Sequence, residues 1–261
     1  MFLYRCDIGD EGIEKLLDTL GEGHSVVKLK IGGNNLSKAS ATTLSQFLSR
    51  DEVLESLGLS SNLLGDEGVA ELCRVLKFNK SLTHLDLYGN QITCKGVKEI
   101  AEMLTENKSL KVLHLGNNEI KSEGIQSLAA ALSVNKCLEE LYLGVDTKQT
   151  VNIDVARSFA DALRMNMCLK KLELNYSFEY KANELLLGAL RVNDTLTSLN
   201  MDKCYVPHFI RLDMYTKVTQ NKNCALQKRR TKFVMILIHN RKSSPLSVLP
   251  RRVLIHLLTF L

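Results

Sequence analysis

Leu29, Leu57, Leu85, Leu113 and Leu141 stand 28 residues apart, and most apolar and polar positions around them repeat at the same interval. Around Leu85 the chain reads Leu82-Thr-His-Leu85-Asp-Leu87-Tyr-Gly-Asn90-Gln-Ile92. Around Leu113 it reads Leu110-Lys-Val-Leu113-His-Leu115-Gly-Asn-Asn118-Glu-Ile120. Apolar residues at alternate positions of Leu85-Asp86-Leu87 predict a short strand, with the leucines on one face and Asp86 on the other. The following stretch, Gly124 to Leu132, has apolar residues at 125, 128, 129 and 132, a helical spacing. One strand and one helix per period cannot each bury an apolar side alone. Stacked periods bury both in a continuous core.

The units run Met1–Ser25 (incomplete), Val26–Glu52, Val53–Lys80, Ser81–Lys108, Ser109–Lys136, Cys137–Met167, Cys168–Asp194 and Thr195 to about Asn221. Asn34, Asn62, Asn90 and Asn118 follow the strands at a fixed offset, where a carboxamide both donates to and accepts from backbone groups of a turn. Cys6 and Cys204 take that place in the first and last units. Asn79, Asn107, Asn135, Asn166 and Asn193 close the helices, each three residues before the next leucine. The fifth strand turn, Gly144 to Ile153, is irregular: Leu172 comes 31 residues after Leu141, so three extra residues must bulge there. Leu3 aligns with Leu87, so the chain begins mid-strand. That implies either preceding sequence or an exposed parallel edge open to pairing.

L-x-x-L-x-L-x-x-N/C-x-L is the leucine-rich-repeat signature. The full unit Leu113-His-Leu115-Gly-Asn-Asn118-Glu-Ile120-Lys-Ser-Glu-Gly124-Ile-Gln-Ser-Leu128-Ala resembles the ribonuclease-inhibitor type of that repeat. That class includes the C-terminal repeats of NOD-like receptors and the Ran GTPase-activating protein. The resemblance covers about residues 2–210 and implies an α/β solenoid. This would be a right-handed horseshoe, with a parallel sheet on the concave face, helices outside and a C-terminal helical cap. It implies no shared function, because a fold is not a site.

Charge divides the chain. Residues 1–202 carry −6 and residues 203–261 carry +11, together the +5 of the whole. The expected organisation is therefore a repeat domain over residues 1–210 and a basic helical cap or tail over 211–261. Within the tail, Arg229 to His239 reads as a helix, with its basic residues at the start. Leu249-Pro-Arg-Arg-Val253-Leu254-Ile-His-Leu257-Leu258-Thr-Phe260-Leu261 resembles the opening helix of an F-box, over thirteen residues. No stretch has the ~18 consecutive apolar residues of a membrane span, and the first residues are not a signal peptide. Seven cysteines at repeat positions, with no C-x-x-C, point to free thiols in a reducing compartment, so a cytoplasmic protein is expected.

Projecting the strands places alternate residues in rows on the concave face. His84, Asp86, Tyr88, His114, Glu140 and Tyr142 form one patch there, extended by Lys171 and Glu173. Tyrosines and charged groups on rigid backing are typical of binding hot spots. The chain lacks G-x-x-x-x-G-K-[ST], G-x-S-x-G and H-E-x-x-H, and no short-spaced metal motif occurs. The expectation is a non-catalytic scaffold that binds another protein through the concave face, without metal, cofactor or small-molecule substrate. The alternatives are regulation of a small GTPase, or ubiquitin-ligase adaptor work through the F-box-like helix. Nucleic acid fits poorly, because the basic residues of the tail interleave with aliphatic rather than aromatic side chains. The same basic tail offers a weak contact for an anionic membrane.

Overall fold

Each period folds into one strand, a turn and one helix. The computed structural model describes residues 1–21, 23–144, 150–175, 177–178, 180–201 and 206–239. In chain order the elements are α1 (Gly9–Leu20), β1 (Lys28–Lys30), α2 (Lys38–Leu48), β2 (Ser56–Gly58), α3 (Gly65–Leu76), β3 (His84–Asp86), α4 (Cys94–Glu106) and β4 (Val112–His114). They continue with α5 (Ser122–Val134), β5 (Glu140–Gly144), β6 (Thr150–Val151), α6 (Ile153–Met165), β7 (Lys171–Asn175), β8 (Ser177–Phe178), α7 (Tyr180–Val192), β9 (Ser198–Asn200) and α8 (His208–His239).

Seven strands form one parallel sheet in the order β1-β2-β3-β4-β5-β7-β9. Its register carries each anchor leucine onto the next: Leu29, Leu57, Leu85, Leu113, Leu141, Leu172 and Leu199 lie side by side. These leucines are buried, as are Ile31, Leu59, Leu87, Leu115, Leu143, Leu174 and Met201 two positions on. The helices complete the core from the other side through residues such as Leu72, Ile100, Leu128 and Phe159. The incomplete first unit joins the same ladder. Leu3 N donates to Lys30 O at 2.8 Å, as Leu87 N does to His114 O at 2.9 Å.

Two buried asparagine ladders tie the rungs together. Asn118 Oδ1 accepts from Asn90 N (2.8 Å) and Ile92 N (3.1 Å), and its Nδ2 donates to Leu87 O and Leu115 O, both at 2.9 Å. Asn62 and Asn34 repeat the pattern toward the N-terminus. The residue before each of these asparagines takes a positive φ: Gly33 69°, Ser61 56°, Gly89 63°, Asn117 53°. This left-handed step turns the carboxamide inward, and Ser61 and Asn117 adopt it at some strain. The second ladder lies at the helix ends. Asn107 Oδ1 accepts from Ser109 N (3.0 Å) and Leu110 N (2.7 Å), and its Nδ2 donates to Leu76 O one rung back, at 2.5 Å. Asn79, Asn135, Asn166 and Asn193 do the same.

Helix starts are also linked between rungs. Asp66, in the first turn of α3, accepts from Thr93 N (2.7 Å), Thr93 Oγ1 (2.6 Å) and Gly96 N (2.9 Å) at the start of α4. Asp10 accepts in the same way from Ser37 and Ser40. Burial opposes its charge, yet these hydrogen bonds win and hold its pKa below the usual carboxylate value.

Two features were not legible in the period. In the irregular fifth turn, where residues 145–149 lie outside the described ones, β6 pairs in parallel with β8 to make a second, two-stranded sheet. At the other end α8 is a single helix from His208 to His239. It contains the helix expected from Arg229, and the expected boundary after residue 210 falls inside it. Ile210, Met214 and Val218 pack on the last rung, and Asn221 Nδ2 donates to Asn193 O (2.8 Å) and Leu196 O (3.0 Å). Asn221 thus takes the ladder place of Asn193, but the helix runs on past it.

Candidate functional site

Residues on either side of each buried anchor leucine point away from the helices. The register aligns Lys30, Gly58, Asp86, His114, Tyr142, Glu173 and Asn200 in one central row. Lys28, Ser56, His84, Val112, Glu140, Lys171 and Ser198 form the flanking row. Seven of the eight expected site residues lie on β3, β4, β5 and β7, and Tyr88 follows just beyond the end of β3. Neighbouring strands are about 4.8 Å apart, so the eight are contiguous.

At the middle of the patch the His114 and Tyr142 rings stack with centroids 4.0 Å apart and planes 7° from parallel. Tyr142 donates its hydroxyl to Glu140 Oε2 at 2.6 Å, and Lys171 Nζ pairs with Glu140 Oε1 at 2.8 Å. Burial opposes the Glu140 charge, but the hydrogen bonds from Lys171 and Tyr142 outweigh it and lower the pKa. The Tyr142 phenol is pushed up to about 12, first by burial and then by its bond to Glu140. Burial pushes the His114 imidazole down, against the pull of the Asp86, Glu140 and Glu173 carboxylates. Asp86 Oδ1 accepts from Tyr88 N at 3.0 Å, which fixes the entry to the turn. Asn200 Nδ2 donates to Glu173 Oε2 at 3.4 Å. His84 sits at the edge, its Nδ1 2.8 Å from Thr83 Oγ1, which also donates to Glu55 O.

The sequence reading missed a cluster at the opposite edge of the stack. His24 Nε2 meets Asp51 Oδ1 at 2.9 Å, both side chains being 5% exposed, and the His24 ring stacks on Phe47 at 5.4 Å. The pair lines a cleft of about 490 Å³ with Arg50 and Val53. Asp51 also accepts from Val53 N (3.3 Å) and Leu54 N (2.8 Å), the work that Asn79 does one rung later. Its position three residues before Leu54 was the available signal. His24 Nδ1 accepts from Val26 N at 3.1 Å, so both ring nitrogens are used in closing the turn.

Among the described residues no group of three or more His, Cys, Asp or Glu side chains comes together to hold a metal ion. Six cysteines there are free thiols, including the neighbours Cys137 and Cys168. No helix among these residues is long and apolar enough to cross a membrane. The F-box-like segment from Leu249 to Leu261, and Cys204, lie outside the described residues.

A family model described as Leucine Rich repeat matches residues 3–17, 52–73, 78–101 and 106–129. No curated protein matches the chain. Among solved structures, Leiomodin-1 Actin-Binding Site 2 is similar at a TM-score of 0.51 and 20% identity, covering 74% of this chain and 95% of that one. The tropomodulin C-terminal domain of Caenorhabditis elegans is similar at a TM-score of 0.45 and 13% identity, covering 83% of this chain and 97% of that one. With the strand, turn and helix of every unit, the matched segments give this chain a leucine-rich-repeat fold, an open α/β solenoid similar to the ribonuclease-inhibitor type.

Proposed function

We propose that this leucine-rich-repeat chain is a scaffold that binds another protein on the open face of its sheet, at the patch formed by His84, Asp86, Tyr88, His114, Glu140, Tyr142, Lys171 and Glu173. The observation that carries the reading is the stacked His114–Tyr142 pair, held on two adjacent strands within a ring of charged side chains. A sheet backed by a continuous core loses little freedom when a partner docks, so contacts made there are not offset by ordering. Leiomodin-1 supports the reading at the level of fold, since a similar solenoid there is named as an actin-binding site. The nature of this chain's partner is a separate question. Neither a GTPase-regulating role nor a ubiquitin-adaptor role is favoured by a specific contact among the described residues.

The test is partner capture from lysate by the full chain, compared with a Tyr142→Ala, Glu140→Ala double variant. Because both side chains stand on the open face, the circular dichroism spectrum should be unchanged while captured proteins disappear. Undiminished capture by a folded double variant would move the binding surface elsewhere.

A further inference from the structure

The central row of the open face has an order with chemical meaning. From β3 to β7 it reads Asp86, His114, Tyr142, Glu173, so the stacked aromatic pair has a carboxylate-bearing position on either side. Tyr88, 38% exposed, lies over Gly116: a Cβ built there would stand 3.0 Å from its Cδ2 and 3.2 Å from its Cε2. A side chain larger than glycine at 116 would displace the Tyr88 ring from this place. The stacked pair is a platform of two rings on adjacent strands, with one face of His114 covered by Tyr142 and the other on the Asp86 side.

The charges around the platform are not equivalent. Glu140 is satisfied from within, with one oxygen on Tyr142 and the other on Lys171. Asp86 makes no ion pair among the described residues, and its Oδ1 accepts from the neutral Tyr88 N–H. His114 is held toward its neutral form by burial. It therefore adds ring surface to the platform and does not supply the positive charge that Asp86 lacks.

We propose that the His114 face left open by Tyr142, on the Asp86 side, receives an arginine side chain of the partner, the guanidinium lying on the imidazole that Tyr142 backs and pairing with the carboxylate of Asp86. The partner would thus present an arginine-bearing basic segment. The inference rests on the reading of the open face as the binding surface, and names what that surface recognises. A guanidinium suits the place better than an ammonium, because it is planar, stacks on aromatic faces and offers paired donors to a carboxylate. Phosphate-bearing partners, whether nucleic acid or anionic lipid, are disfavoured by the three carboxylates that surround the rings.

The experiment uses the full chain and a fluorescein-labelled peptide of four Arg-Gly-Ser repeats, followed by anisotropy at low and at near-physiological salt. Matched peptides carry citrulline or lysine in place of arginine. Citrulline keeps the shape and removes the charge. The expected result is binding of the arginine peptide, about ten-fold weaker for citrulline, several-fold weaker for lysine, and weaker for all charged peptides as salt rises. Asp86→Asn and Tyr142→Ala should each weaken the arginine peptide about five-fold or more, whereas Tyr142→Phe should retain it. Glu123→Gln, which removes a carboxylate from a helix surface, should leave it unchanged. Equal binding of arginine and citrulline peptides, or unimpaired binding by Asp86→Asn and Tyr142→Ala, overturns the proposal. If the double variant still loses its captured partner while the arginine peptide fails to bind, the open face stands as the site and only the arginine assignment falls.

Discussion

Replacing Asn118 by alanine tests the ladder that joins the rungs. The side chain is buried, accepts from Asn90 N and Ile92 N, and donates to Leu87 O and Leu115 O. Its third donor contact is to Gly116 O, at 3.3 Å. That carbonyl already accepts from Gly89 N at 3.0 Å and loses least. The heavier loss is of the two N–H groups, which alanine leaves buried without an acceptor. A stranded buried donor costs about 1–3 kcal/mol, so the variant should be less stable by about 3–5 kcal/mol. For a chain of this length that lowers the melting temperature by on the order of 10 °C. Urea unfolding followed by circular dichroism at 222 nm gives the free energy, and a thermal scan gives the shift. Glu119→Ala is the control: the neighbouring side chain is exposed, and its loss should stay within about 0.5 kcal/mol of wild type. If Asn118→Ala loses less than about 1 kcal/mol, the carboxamide is not what secures one rung to the next.

Leu115→Asp places a carboxylate where a side chain 1% exposed meets the core, and should destabilise more than Asn118→Ala; an unchanged melting temperature would contradict the rung assignment. The Tyr142 phenol, raised to about 12, should ionise later than an ordinary tyrosine when absorbance near 295 nm is followed against pH, and Tyr142→Phe should remove that late phase. Because its folded pKa lies above the unfolded value of about 10, the linked stability is complete below that value and is lost as pH rises through about 12. Thiol labelling with an aromatic disulfide should modify the exposed Cys6 and Cys224 first; burial pushes the Cys73 thiol up, so it should react only on unfolding, and early labelling of Cys73 would contradict its place in the core.

Much of the open face was legible before any coordinates because a solenoid is nearly one-dimensional. Once Leu85 and Leu113 are paired, the register of Asp86 with His114, and of His114 with Tyr142, follows from alternation alone. What alternation does not convey is how side chains settle after pairing. The parallel stacking of His114 on Tyr142, the division of Glu140 between Tyr142 and Lys171, and the descent of Tyr88 onto Gly116 depend on rotamers and on neighbours from four different units. The fifth turn resisted for a related reason: an insertion breaks the period, and β6 finds its partner only in the next unit's turn.

By itself, the order of residues determined the period, the identity of the core leucines, the parallel sheet and the face on which polar side chains collect. These follow from local sterics and from the burial of one apolar stripe per element, repeated until neighbours have nowhere else to put it. Tertiary structure alone decided the rest. The asparagines read as turn residues proved to be buried bolts that reach back to the preceding rung, and Asp51 with His24 stands in for one of them near the beginning of the stack. The helix begun at His208 passes Asn221 without stopping, although the same ladder position ends the helices before it. Such outcomes depend on which polar groups are left unpaired after the rungs come together, and that is settled only when the third dimension brings distant backbone within hydrogen-bonding distance.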